Sequence, residues 1–152
     1  VEAILKEGQY ATLSLSKAGQ PYAIPMNYGY RWEEEGLTFY FHCALEGEKL
    51  AILKENPRAC LSVVASEQVY SPDPTQACSY SSYFRSFVAE GNISLVNDLA
   101  EKVDALGVLM GHYAPEGSFS FGERECNMVT VLRLKARIWS AKAHTPKVQA
   151  EG

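Results

Sequence analysis

Three short segments bring together residue types that could hold or transform a small molecule. The first is Phe41-His42, followed closely by Gly47-Glu48-Lys49. A helix opening at Gly47 would present unpaired amides and a partial positive charge, which draw a phosphate. Lys49 would add a full charge beside those amides. A lysine in a first turn is otherwise unfavourable, because that end of a helix prefers anions, and a bound phosphate would remove the conflict. Without a ligand, Lys49 reads as a solvated side chain and Gly47 as a turn residue.

The second segment is Pro25-Met26-Asn27-Tyr28. Proline removes one ladder hydrogen bond, and asparagine offers both a donor and an acceptor. A planar heteroaromatic ring with N–H and C=O edges suits such a segment; a plain edge strand is the other reading. The third is Tyr83-Phe84-Arg85-Ser86. Ser86 could hydrogen-bond a ligand, and Arg85 could pair with a phosphate or with a structural carboxylate. His112, beside Tyr113, reads as a favourable cation at a helix end rather than a ligand.

Known catalytic signatures are missing. There is no G-x-x-x-x-G-K-[ST] phosphate loop, no G-x-G-x-x-G turn and no G-x-S-x-G elbow. Cys43, Cys60, Cys78 and Cys126 form no C-x-x-C pair, and the three histidines lack zinc-ligand spacing with them. Reduced thiols in a cytoplasmic protein are the expectation. A net charge of −4 argues against non-specific nucleic-acid binding. No apolar run reaches the roughly 18 residues of a membrane span. Glu2, Lys6 and Glu7 interrupt any leader-like stretch, so no membrane partner and a cytoplasmic location are expected.

The length of 152 residues suits one domain, expected over residues 1–142, with a polar tail over 143–152. Strict alternation predicts a strand over 9–16, with Ala11, Leu13 and Leu15 on one face. A turn at 18–21 leads to a second strand over 22–32 and, past an acidic tip at 33–36, a third over 37–42. The period then changes to helical over 47–56, stopped by Asn56-Pro57. Further strands are expected over 59–66, over 84–96 with a bend near Gly91, and over 127–139. A surface loop or hairpin is expected over 67–82, and an irregular stretch over 114–126. Asp98 reads as the cap of a helix running to about Tyr113. About six strands in hairpin-like succession and two main helices favour an antiparallel barrel over a doubly wound sheet.

Taken together and in order, these segments resemble a known family. Ala11-Thr12-Leu13, Gly19-Gln20-Pro21-Tyr22 and Ile24-Pro25-Met26-Asn27-Tyr28 come first. Phe39-Tyr40-Phe41-His42, Gly47-Glu48-Lys49 and Asn56-Pro57 follow, then Tyr83-Phe84-Arg85-Ser86-Phe87, Glu90-Gly91, Glu101-Lys102, Ala105-Leu106 and Lys142. Over roughly residues 8–142 the chain resembles the nitroimidazole-resistance-type branch of the pyridoxamine-phosphate-oxidase-like proteins, which share an FMN-binding split β-barrel. The resemblance implies a homodimer with FMN in the clefts between subunits. It implies that Ile24, Pro25, Met26, Asn27 and Tyr28 line the isoalloxazine ring, and that His42 and Cys43 close over the flavin. Lys49 would hold the phosphate, and Ser86 would occupy the place of a cofactor-contacting glutamine. Glu48 stands where the oxidases carry arginine, and their C-terminal substrate motif has no counterpart. Oxidation of pyridoxamine phosphate itself is therefore not implied.

The function expected is an FMN-dependent oxidoreductase that takes electrons from a small donor and passes them to a small acceptor such as a nitro-aromatic. His42 is the side chain expected to donate a proton near the ring, because imidazole exchanges protons readily around neutrality. The alternatives are a flavin or haem carrier, a redox sensor, or use of a deazaflavin, all on the same barrel.

Overall fold

The computed structural model describes residues 1–146. The elements run α1 (Glu2–Glu7), β1 (Ala11–Lys17), β2 (Gln20–Met26), β3 (Gly29–Glu33), β4 (Gly36–Cys43) and α2 (Glu48–Glu55). There follow β5 (Arg58–Tyr70), β6 (Ser81–Val96), α3 (Leu99–Tyr113), α4 (Glu123–Asn127) and β7 (Thr130–His144). The seven strands form one sheet in the order β2-β1-β5-β6-β7-β4-β3, and its pairings are antiparallel.

The connection between β2 and β3 dictates the shape. These strands are the two edges of the sheet, yet only Asn27 and Tyr28 separate them. In a flat sheet, six steps of about 4.8 Å would put the edges roughly 29 Å apart. Three residue steps reach at most about 11 Å. The sheet must therefore curl until its edges meet, which makes a split barrel.

Alternation decides what fills it. Ala11, Leu13 and Leu15 of β1, Leu61 and Val63 of β5, Phe87 and Ala89 of β6, Leu132 and Leu134 of β7, and Leu37, Phe39 and Phe41 of β4 are buried in one core. Helices close its surface: α1 contributes Ile4 and Leu5, and α2 contributes Ile52 and Leu53. Burying each of the larger apolar side chains stabilises the fold by roughly 1.5–3 kcal/mol. A second, smaller core lies outside the barrel, where Ala105 and Leu106 of α3 meet Tyr40, Val96, Cys126 and Val131. There β3 and α3 come very close: a Cβ on Gly29 would lie 2.6 Å from the Leu109 Cα.

The sequence expectations for β1, β4 and α2 agree with the structure, and Asp98 caps α3 by accepting from the Glu101 N–H at 3.0 Å. Several boundaries differ. The single strand expected over 22–32 is two strands, because the chain crosses from one sheet edge to the other at Asn27–Tyr28. Of the two readings of 67–82 the structure has the hairpin, since β5 extends to Tyr70 and β6 starts at Ser81, each satisfying the other's backbone. The irregular stretch ends in α4, α1 was not foreseen, and Ala143 and His144 belong to β7 rather than to a tail. Residues 147–152 of the expected tail lie outside the described residues. All four cysteines are free thiols.

Candidate functional site

β2 pairs with β1 alone along its length, so its other side is a free edge. Tyr22, Ile24 and Met26 face the barrel opposite Leu15, Leu13 and Ala11; Pro21, Ala23 and Pro25 alternate to the outer face. An edge is where proline fits, because no neighbour there demands its missing N–H. Asn27 is exposed at the end of this edge.

Helix α2 starts beside the same strand. Gly47 precedes it with φ at 153°, a backbone conformation that favours glycine, and no side chain caps the helix. The first-turn amides of Glu48 and Lys49 are therefore without a side-chain acceptor, an arrangement that suits an anion. Lys49 also neighbours Cys43 at the end of β4. Burial pushes the Cys43 thiol up from its ordinary value, and the Lys49 ammonium partly offsets this. Between α2 and β2 runs a cleft of about 340 Å³, lined by Lys17, Gln20, Pro21, Tyr22, Glu48 and Ile52. The cleft meets α2 at Glu48 and Ile52 and β2 only at Gln20, Pro21 and Tyr22, so neither Lys49 nor residues 24–28 line it. The uncapped amides and the Lys49 ammonium suit an anion.

The other expected site residues fall in three places. Ile24, Met26, Tyr28 and Cys43 belong to or pack against the main core. Tyr28 is turned fully inward, its side chain 0% exposed and its N–H donated to the Tyr113 hydroxyl at 3.0 Å. The whole residue is buried, so Tyr28 presents no exposed group to a ring. His42 points away from the barrel interior, opposite Val131, so His42 and Cys43 lie on opposite faces of β4. Ser86 lies on the outer face of β6, between Val64 and Lys142. Three strand steps, roughly 14 Å across a sheet, separate β6 from β2.

Arg85 is held by Glu7 at 2.5 Å and by the Ser66 hydroxyl, so its role here is structural. His112 contacts the Gly8 carbonyl through Nε2 at 2.9 Å and lies against Tyr28, with ring centroids 4.7 Å apart. It lies in the last turn of α3, where a cation is favourable, and it also packs into the structure. Sequence reasoning left out Tyr22 and Pro21 as cleft residues. Tyr22 shares the period-two face of Ile24 and Met26, a signal that was present.

A family model described as pyridoxamine 5'-phosphate oxidase matches residues 1–143. Among solved structures, one described as a 5-nitroimidazole antibiotic resistance protein of Bacteroides thetaiotaomicron is 27% identical, with a TM-score of 0.78, over 93% of this chain and 80% of that one. A FAD and haem binding protein of Mycobacterium smegmatis is 22% identical, with a TM-score of 0.79, over 93% of this chain and 68% of that one. The flavocytochrome Anf3 of Azotobacter vinelandii is 25% identical, with a TM-score of 0.75, over 99% and 69%. A comparison with curated proteins gave no match.

Proposed function

Since the chain belongs to the pyridoxamine 5'-phosphate oxidase-like family of flavin-binding split barrels, we propose that it is an FMN-dependent oxidoreductase acting on small acceptors of the nitro-aromatic class. The observation that carries this reading is the uncapped, glycine-led start of α2, with Lys49 in its first turn, beside the edge strand β2. Lys49 and the amides of Glu48 and Lys49 bind the phosphate. Ile24, Pro25 and Met26 line the ring, Asn27 orients its polar edge, and buried Tyr28 holds the end of this segment in place. Cys43 closes the pocket beside Lys49. Bound FMN supplies the hydride and one-electron chemistry, which no side chain of this protein can perform. His42 holds a proton for the acceptor at the exposed end of β4.

Ser86 takes part only if a second copy presents it, since it lies on the outer face three strands from its own β2. That face exposes Val64 at 58%, Val88 at 38% and Ile138 at 53%, an apolar strip that supports a homodimer with the cofactor between subunits.

The test begins with absorption spectroscopy and fluorescence quenching of FMN on the purified chain. One flavin per chain is expected. Absence of flavin binding overturns the reading. Anaerobic reduction by NADH or NADPH, followed by mixing with a 5-nitroimidazole, is expected to re-oxidise the bound flavin. Flavin that binds without passing electrons to an acceptor, or a Soret band from haem, assigns the protein to the carrier reading instead.

A further inference from the structure

A second cleft, of about 360 Å³, lies on the outer face of the sheet away from α2's first turn. Its lining includes Ser16, Arg58, Cys60, Glu90, Asn92 and Arg137, together with Gly91. The ladder brings these residues together: Arg58 is paired with Asn92, and Cys60 with Glu90.

Arg137 arrives by a different route. The register between β6 and β7 steps from Glu90↔Ile138 to Gly91↔Ala136, so Arg137 is the extra residue of a β-bulge. Bulges of this kind re-aim one side chain and commonly sit beside binding sites. This bulge is built into the sequence, because any Cβ at position 91 would collide with the Lys135 carbonyl oxygen.

The electrostatics are unusual for a chain of net charge −4. Arg31, Arg85 and Arg133 have carboxylate partners at 2.8, 2.5 and 3.7 Å. Arg137 has Glu90 at 3.9 Å, and Arg58 has no ion pair among the described residues. Two guanidinium groups thus line one cleft with most of their donors uncommitted. Ser16 accepts from the Asn56 side-chain amide through Oγ at 3.2 Å, which leaves its O–H free to donate. The Asn92 carboxamide adds two further donors.

We propose that this cleft is a binding site for a phosphate monoester. Two guanidinium forks need an anion with at least three acceptor oxygens and close to two charges, which phosphate has and a carboxylate lacks. Half-buried Cys60 is the less polar side chain beside the guanidinium groups, while Leu15 and Ala59 border the cleft from the core. The cleft adjoins the outer-face strip of Val88 and Ile138, since Glu90 pairs with Ile138, but none of its residues is assigned to the flavin.

The test is an NMR titration of the 15N-labelled chain with inorganic phosphate at constant ionic strength. It is run on the wild type and on Lys49→Met, so that the start of α2 does not supply the signal. Saturable shifts are expected at the amides of Arg58, Gly91, Asn92 and Arg137. The double variant Arg58→Gln/Arg137→Gln should weaken binding at least tenfold. Glu90→Gln should tighten it about threefold or more, because it removes a competing anion. All three side chains are exposed, so the variants should fold, which circular dichroism checks. Shifts that never saturate, that survive the double arginine change, or that weaken in Glu90→Gln overturn the proposal. Repeating the titration with adenosine 5'-monophosphate tests the ester: tighter binding than inorganic phosphate supports it, and equal or weaker binding overturns it.

Discussion

The Tyr28 hydroxyl donates to the Leu5 carbonyl oxygen at 2.6 Å inside the core, pinning α1 to the two-residue crossing between the sheet edges. Burial pushes the phenol well above its ordinary range, so it stays a donor throughout the working pH range. Tyr28→Phe would strand a buried carbonyl, a cost of about 1–3 kcal/mol. The midpoint of urea unfolding should fall accordingly, with little change in slope. An unchanged midpoint would show that α1 is not held by this bond.

Gly29 lets β3 lie almost against α3. With a Cβ only 2.6 Å from the Leu109 Cα, Gly29→Ala must push helix and strand apart. Overpacking of this kind costs about 1–3 kcal/mol. Thermal unfolding measures it, and Gly107→Ala, where nothing lies within 4 Å, is the control expected to be silent or slightly stabilising.

Acid should loosen both ends of β3. The Tyr30 hydroxyl and the Trp32 indole donate to Glu2, and these bonds hold its carboxyl below its ordinary value of 4.5. Thr38 and then Arg31 do the same for Glu33. A depressed carboxyl stabilises the fold fully above its unfolded value and loses that contribution as pH falls through the folded one. Stability should therefore decline once the pH drops below about 4.5. In Glu2→Gln/Glu33→Gln, urea midpoints plotted against pH should show a shallower decline.

Lys49 carries the proposed phosphate contact. Hydrogen bonds to charged groups contribute about 1.5–3 kcal/mol, so Lys49→Met should weaken FMN binding roughly 10- to 150-fold. Quenching of flavin fluorescence reads this directly. His42→Ala should bind FMN normally and slow acceptor reduction by about a hundredfold, the usual size of a lost proton donor. Full turnover in that variant would remove His42 from the chemistry.

The apolar strip on the outer face gives a separate test. Val88→Asp should shift the chain to monomer in sedimentation and weaken flavin binding with it, because Ser86 could no longer reach a partner's site. A monomer that still binds FMN at wild-type strength would exclude a role for the second copy.

By itself the sequence determined the local elements whose periods are unbroken. The alternation Ala11, Leu13, Leu15 marks β1, the change of period at Gly47 marks α2, and Asp98 marks the start of α3. It also determined the pairing of chemistries, a lysine at a glycine-led helix start and an apolar, proline-bearing strand. Only the tertiary structure decided where faces change. Met128, Leu132, Leu134, Ala136 and Ile138 read as one apolar face, yet Leu132 and Leu134 are buried while Ile138 is 53% exposed. The bulge at Arg137 shifts the alternation by one residue, and a pattern of period two cannot reveal its own interruption. Likewise, Tyr28 could be placed on a strand from sequence, but its inward turn follows from the chain crossing between sheet edges. That crossing exists only once the other five strands have curled the sheet closed.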